Sequence, residues 1–238
     1  MNVVGIIRAK DSERWIAEVL TSLLKVCGHV VVLDDHSTDN MAKVALSVDA
    51  KISCIASPFS TINEARDKMY LVEQCRQFLP NWILCVDADE VLLDHTLLLE
   101  NISSKRSSCY SLNVKFLWNS PSTIRTDGCY GDFWRPSLFE ASRTNGKWTV
   151  GDGADLHCSA APNDVAAAVV RTQPPVRLKH YGPMLKEDRI RKYYWYLEHD
   201  KVNGPEYYAC SIQGDLQGFP VDAKYMHGGP LRLEPFKE

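Results

Sequence analysis

The chain has 238 residues, 24% of them charged and 45% hydrophobic, and a formal net charge of -3 at pH 7. This length and composition are typical of a soluble globular protein with a large core. The slightly acidic balance excludes a general electrostatic attraction to nucleic acid or anionic lipid, and no apolar run approaches the roughly 20 residues of a membrane span.

The first hundred residues alternate between apolar runs and amphipathic stretches. The apolar runs predict strands at 3–7, 30–34, 51–55 and 82–86. Helical spacing predicts a first helix that Asp11 or Ser12 can cap, then helices near 41–46 and at about 62–78. Strands that alternate with helices pair in parallel through right-handed crossovers. The sequence therefore predicts an α/β fold with a mostly parallel central sheet flanked by helices.

The rest of the chain has a different pattern. Residues 109–117 predict another strand, and Arg189 to His199 predict a helix. Residues 118–136 and 145–175 are rich in glycine, proline and small residues, which favour loops or short strands. Roughly the last 35 residues contain Gly-Pro steps typical of an irregular segment. We find no internal repeat and expect residues 1–238 to form one domain.

The apolar run 82–86 ends abruptly in Asp87, Asp89 and Glu90. Such a run is typical of a strand buried on both faces of a parallel sheet, and open α/β sheets bind ligands at the carboxyl ends of their strands. Clustered carboxylates there favour Mg²⁺ or Mn²⁺, metals that also bind substrate phosphates. The alternative is a strand followed by a solvated acidic turn.

A second apolar run, 30–33, ends in Asp34 and Asp35. The Ser-Thr-Asp-Asn stretch that follows can cap the helix near Met41, and we expect Asp39 to have that capping role. Asp35 is different, because two strands that each carry acids to one sheet edge form a site.

Four segments resemble the family 2 glycosyltransferases, which have the nucleotide-sugar-binding fold called GT-A. The segment 3–11 is similar to that family's first strand and loop, 33–39 (Leu-Asp-Asp-His-Ser-Thr-Asp) to its DDxSxD motif, and 87–90 (Asp-Ala-Asp-Glu) to its DxD motif. Asn63-Glu64-Ala65-Arg66 resembles its NxxRN helix start, although Asp67 stands where Asn is common. The segments occur in the family's order over roughly the first 100 residues.

The resemblance implies a nucleotide-sugar donor, UDP-linked in most of the family, and a divalent Mn²⁺ or Mg²⁺ ion. It implies Asp89 as a direct metal ligand, Asp87 as a contact of the ribose or the metal, and Asp35 as a contact of the nucleoside. Residues from about 1 to 100 are then the donor half, and about 101–238 the acceptor half. Three cations are expected near the diphosphate: Arg8, Lys10 and Arg66.

The segment Lys179-His180-Tyr181-Gly182 resembles one near the end of many family members. It implies that His180 binds metal or diphosphate, with charge added by Lys179 or Arg189. The alternative for His180 is that it packs before a helix, and we expect Arg189 and Lys192 to lie on a solvated helix face.

An inverting transferase needs a general base that accepts the proton of the acceptor hydroxyl. Asp152 and Asp155 are the candidates, since the family commonly has an acid in a loop at this stage of the chain. The acceptor itself stays open among a glycan, a lipid-linked saccharide, a protein and a modified nucleic-acid base, and a homo-oligomer is compatible with the sequence.

Two further functions fit part of the pattern. A haloacid-dehalogenase-like phosphatase would use Asp87 as nucleophile and Asp89 as acid/base, with Asp152 and Asp155 on Mg²⁺. That motif normally opens its fold, whereas here three strands precede it. A nucleotidyltransferase would need a glycine-rich, lysine-bearing phosphate loop after the first strand, and the sequence has no such loop there. A non-catalytic sugar-nucleotide-binding module would keep Asp35 and dispense with Asp152 and Asp155.

The eight cysteines form no CxxC pair, so a structural zinc site is not expected. Several lie inside apolar runs, where cysteine packs as a small hydrophobic residue. Arg8, Lys10 and Asp11 also interrupt the pattern of a secretory signal. Because we expect reduced thiols and the sequence does not have the pattern of a secretory signal, we expect a cytoplasmic protein.

Overall fold

The computed structural model describes residues 1–145, 147–148, 155–215 and 231–238. Their contacts cluster in two compact units. Unit 1 comprises 1–113, 134–145, 147–148 and 155–178, and unit 2 comprises 114–133, 179–215 and 231–238.

Strands and helices follow one another along the described residues. The strands are β1 Val3–Ala9, β2 His29–Asp34, β3 Ile52–Ala56, β4 Trp82–Cys85, β5 Glu90–Leu92, β6 Cys109–Trp118, β7 Ser120–Arg125, β8 Phe133–Glu140, β9 Val170–Arg171, β10 Arg177–His180 and β11 Leu233–Pro235. The helices are α1 Glu13–Leu23, α2 Met41–Val48, α3 Glu64–Cys75, α4 His95–Ser103, α5 Asn163–Ala166, α6 Lys186–His199 and α7 Pro205–Tyr208. None of these helices is both long and apolar enough to cross a membrane.

The sheet of unit 1 has the strand order β8-β4-β1-β2-β3. β1 lies between β4 and β2 and pairs in parallel with both, and β3 continues the parallel run beyond β2. β8 closes the other side antiparallel to β4, with Leu138 opposite Leu84. The predicted α/β fold with a mostly parallel sheet is confirmed.

The core of unit 1 explains why these strands are apolar throughout. β1, β2 and β4 are buried along almost their whole lengths, because helices cover a parallel sheet on both faces. Residues of β1, β2 and α3 meet in one cluster that includes Ile6, Val31 and Leu71. Gly5 permits the close approach of β1 and β2, since a Cβ there would lie 3.2 Å from the methyl groups of Val30.

The helix predicted at 62–78 is shorter in the structure. α3 spans Glu64–Cys75 and continues as one 3₁₀ turn, Arg76–Phe78. Leu79 then adopts a left-handed conformation with φ 51°, a common way for a helix to end.

Unit 2 contains an antiparallel sheet and a helical segment. β7 pairs with β6 and with β11, where Arg125 lies opposite Leu233. α6 begins three residues before the predicted start at Arg189 and ends at His199 as predicted. α6 and α7 share a small core with Tyr193, Tyr208 and Ile212.

The prediction that Arg189 lies on a solvated helix face is wrong. Its side chain is only 2% exposed and pairs with Asp215 at 2.6 Å. It also donates to the backbone carbonyls of Pro183 and Met184 at 2.8 and 2.9 Å. These acceptors lie outside α6, so helical periodicity alone does not reveal them. Lys192, on the same helix, is exposed as predicted.

A tryptophan contacts both of the buried arginines described in unit 2. The Arg125 and Arg189 guanidinium carbons lie 4.7 and 4.2 Å from the centroid of the Trp118 ring. Arg125 is fully buried, pairs with Asp127 at 2.8 Å, and donates to the carbonyl of Cys210 at 2.6 Å. Aromatic and charged contacts, rather than an apolar core alone, hold this part of unit 2.

Candidate functional site

The acidic turn after β4 lies at the carboxyl end of a buried strand. The amide of Val86 still donates to the Ile6 carbonyl of β1, and the chain then turns so that Glu90 N donates to Asp87 O. The Asp87 side chain is 51% exposed, whereas that of Glu90 is fully buried. Ligand oxygens of Asp87 and Asp89 lie within 4.8 Å of each other. This acidic pair suits a hard divalent cation.

Arg135 of β8 is one cation that contacts this turn. It donates to Asp87 Oδ2 at 2.6 Å and also pairs with Glu90. Burial alone would lower the pKa of Arg135, but the two carboxylates raise it well above its ordinary value. The antiparallel pairing of β8 with β4 brings Arg135 to these acids. Sequence reasoning missed it, because no local pattern links β8 to β4.

Lys68 on α3 is a second cation that sequence reasoning missed. Its side chain is 11% exposed, and its ammonium donates to the carbonyls of Cys158 and Ser159 at 3.0 and 3.2 Å. Burial alone would lower the pKa of Lys68, but neighbouring groups that include Cys85, Cys158, Glu64 and Asp87 raise it. Lys68 therefore stays charged and fixes the segment that follows Asp155.

Arg8 stands at the end of β1, next to the end of β2. Its guanidinium contacts Asp35 Oδ2 at 2.5 Å and Asp67 Oδ2 at 2.9 Å. Asp35 is 5% exposed and Asp67 is fully buried. The predicted nucleoside contact, Asp35, is thus ion-paired with a residue that the sequence predicted near the diphosphate.

Arg66 shares the Asp67 carboxylate with Arg8. It contacts Asp67 Oδ1 at 2.7 Å and donates to the Thr61 carbonyl at 2.5 Å. Its guanidinium carbon also lies 3.9 Å from the centroid of the Phe59 ring. Arg66 therefore ties the loop before α3 to the end of β1.

The NxxR helix start has the predicted local structure. Asn63 caps α3, since its side-chain oxygen accepts from the Arg66 amide at 2.8 Å. The side-chain nitrogen of Asn63 donates to Asp155 Oδ1 at 3.1 Å, and the Asp155 carbonyl accepts from Glu64 N. The candidate base Asp155 is thereby held at the N-terminus of α3, whereas Asp152 lies outside the described residues.

Asp39 has the predicted capping role for α2, and it also serves α1. Its carboxylate accepts from Met41 N at 3.0 Å and from Glu13 N at 2.9 Å, the first amides of the two helices. Lys10, expected near the diphosphate, is an exposed residue just after β1.

Lys179 and His180 end β10 and belong to unit 2. Lys179 is 7% exposed and pairs with the carboxylate of Glu238. Burial would lower the pKa of Lys179, but hydrogen bonding to Glu238 and Tyr181 raises it. His180 is buried, and its ring centroid lies 5.2 Å from that of Phe116. Both residues are thus nearly shielded from solvent.

Comparisons with known proteins identify a fold. No protein-family model and no curated protein sequence matches the chain. The crystal structure of S. aureus TarS residues 1–349 superposes with a TM-score of 0.52 at 15% identity, covering 90% of this chain and 71% of that one. The same fragment in complex with UDP-GlcNAc gives 0.53 at 14%, covering 90% and 72%. A longer TarS structure gives 0.54 at 13%, covering 92% of this chain and 44% of that one. At these identities the likeness establishes the fold, which is of the GT-A type.

Proposed function

We propose that the chain is a metal-dependent glycosyltransferase of the family 2 type. It would transfer a sugar from a nucleotide-diphosphate sugar, in the first instance a UDP-sugar, to an acceptor hydroxyl by an inverting displacement. The observation that carries this proposal is the set of acids at one edge of the unit 1 sheet. Asp35 follows β2 and the pair Asp87 and Asp89 follows β4, and both strands flank β1 in parallel. Open α/β sheets bind nucleotides at this edge.

The donor diphosphate requires positive charge, because negative charge grows on it as the glycosidic bond breaks. We assign Asp89, Asp87 and His180 as ligands of a Mn²⁺ or Mg²⁺ ion, which would supply that charge as a Lewis acid. Oxygen ligands with one imidazole are compatible with these metals. Lys10, Arg66 and Lys179 would add charge around the diphosphate.

The nucleoside and the acceptor would occupy different parts of the site. Asp35 would accept a hydrogen bond from the nucleobase, and Asp155 or Asp152 would accept the proton of the attacking hydroxyl. The fixed position of Asp155 beside Asn63 favours a defined role for its carboxylate. Similarity to TarS, whose structures include complexes with UDP and UDP-GlcNAc, supports a UDP-sugar as donor.

The thiols support a proposal for the compartment. All eight cysteines are free, and burial raises the pKa of Cys27 and Cys85 to about 12. Free, unreactive thiols are typical of a reducing environment. We therefore propose that the protein works in the cytoplasm.

The test is release of UDP from a panel of UDP-sugars, with Mn²⁺ present or replaced by EDTA. We expect metal-dependent release in the wild type and a loss on the order of 100-fold or more in Asp89→Asn. The control is Asp94→Asn, which removes a carboxylate of unit 1 that pairs with Arg177. It is expected to keep the activity.

Other outcomes would contradict the proposal in different ways. Hydrolysis of simple phosphomonoesters that Asp87→Asn abolishes would identify a phosphatase. Metal-dependent binding of UDP-sugars without turnover against any glycan, lipid-linked, protein or nucleic-acid acceptor would identify a binding module.

A further inference from the structure

Asp67 is the most buried carboxylate of a four-residue network at the ends of β1 and β2. The network consists of Arg8, Asp35, Asp67 and Arg66, joined by ion pairs of 2.5 to 2.9 Å. Asp67 uses both oxygens, Oδ2 for Arg8 and Oδ1 for Arg66. In the sequence, Asp67 stands out only as a departure from the motif of the resembled family.

The charges of this network cancel. Arg8 contacts both carboxylates whereas Arg66 contacts only Asp67, so Arg8 is the arginine whose charge is neutralised within the network. Within the described ranges, an asparagine at position 67 would leave Arg8 with Asp35 as its one carboxylate partner and Arg66 with none. Asp67 therefore retains Arg8 at the strand ends, since the Asp67 carboxylate is fully buried and its charge needs a cationic partner.

Asp35 receives Arg8 on one oxygen only. Among the described residues, the hydrogen bond from Arg8 to Oδ2 is the one that the Asp35 carboxylate accepts. In the part of the chain that the structure describes, His95 Nε2 is the one buried side-chain polar atom that has no hydrogen-bond partner. Asp35 Oδ1 accepts no hydrogen bond from these residues either, and since it is not among the buried unpartnered atoms, it reaches solvent. A carboxylate oxygen held in this way is an acceptor for an N–H donor.

We infer that Asp67 is a positioning residue for the nucleoside. It holds Arg8 against Asp35, and Arg8 in turn fixes the Asp35 carboxylate so that Oδ1 faces an N–H group of the base. This inference rests on the proposed function for the identity of the ligand. It differs from the expectation that Arg8 binds the diphosphate, because it assigns Arg8 to the nucleoside.

The experiment is calorimetric titration of the full chain with uridine, which lacks phosphate, and with UDP in the presence of Mn²⁺. We expect Asp67→Asn to weaken both ligands by the same factor, on the order of tenfold, the size of the coupling within one ion-pair network. Arg8→Gln is expected to give the same loss, and in an Arg8→Gln background Asp67→Asn adds nothing. Asp94→Asn, which also removes a partly buried ion-paired carboxylate, changes neither affinity.

Three outcomes would overturn the inference while the wild type binds normally. The first is uridine affinity unchanged in Asp67→Asn, and the second is a loss confined to UDP, which would assign Arg8 to the diphosphate. The third is a full effect of Asp67→Asn that persists in the Arg8→Gln background, as a merely structural residue would give. Should Asp67→Asn not fold, unchanged uridine affinity in Arg8→Gln overturns the inference instead. Wild-type protein that binds neither uridine nor UDP would refute the proposed function itself.

Discussion

Replacing Arg135 with glutamine removes the guanidinium that contacts both Asp87 and Glu90. The two contacts differ in environment, because the Asp87 side chain is 51% exposed and that of Glu90 is fully buried. An exposed ion pair contributes about 0–1 kcal/mol. Removal of one partner from a buried pair costs about 3–5 kcal/mol, because a charge is left in a poorly solvated position. Glu90 therefore determines the expected result.

We expect Arg135→Gln to lower the free energy of unfolding by about 3–5 kcal/mol. Urea denaturation in metal-free buffer, followed by tryptophan fluorescence, measures this loss, and an unchanged m-value shows that the native state is otherwise intact. A matched control is Arg143→Gln, just after β8, whose pair with Glu140 has a 70% exposed arginine side chain. Its loss is expected to stay below about 1 kcal/mol.

A second substitution tests the cause of the loss. If the buried charge of Glu90 is responsible, Glu90→Gln in the Arg135→Gln background should restore about 2 kcal/mol, because both charges are then absent. A loss below about 1 kcal/mol in Arg135→Gln would refute the reasoning. A double variant no more stable than Arg135→Gln would also refute it.

Three further predictions concern the scaffold around the site. Asn63→Ala should lower the free energy of unfolding by about 1 kcal/mol through loss of the α3 cap. The control is Ser12→Ala, at an N-cap position without a side-chain cap bond, which should change the free energy of unfolding little. Urea denaturation measures both. Hydrogen bonds from Arg177 outweigh burial and lower the pKa of Asp94 below its usual 3.8. The Asp94–Arg177 pair therefore contributes its full stability above pH 3.8 and loses it as the pH falls through the lower pKa of Asp94 in the folded state. In an acid titration, the free energies of unfolding of the wild type and Asp94→Asn should therefore converge. Burial raises the pKa of Cys85 to about 12, so iodoacetamide should label it at neutral pH only after unfolding, and rapid labelling of the native protein would contradict its burial.

Local sequence patterns predicted the strands and helix caps, which depend on residues close together in the sequence. The runs at 30–34 and 82–86 correspond to β2 and β4, because a parallel strand buried on both faces must be apolar throughout. The capping roles of Asp39 and Asn63 were also predictable, since a cap bonds within a few residues of itself.

The charge partners of Arg135 and Arg189 could not be predicted in the same way. Arg135 contacts Asp87 and Glu90 across 48 and 45 residues of sequence, through an antiparallel strand pairing that has no local signal. Arg189 matched a polar helix face, and its burial depends on Asp215, 26 residues further along. Charge partners formed by tertiary packing thus explain most of what sequence reasoning missed.

The contact of Trp118 with both Arg125 and Arg189 limits how this part of unit 2 can vary. A planar guanidinium can stack flat on a ring while its in-plane N–H groups donate to a carboxylate and a carbonyl, whereas a lysine ammonium has no flat face to stack. Drift under purifying selection should therefore keep arginine at 125 and 189, while exposed positions of α6 such as 191 and 192 accept many replacements. In a saturation library, these two sites would resemble invariant core positions despite being charged.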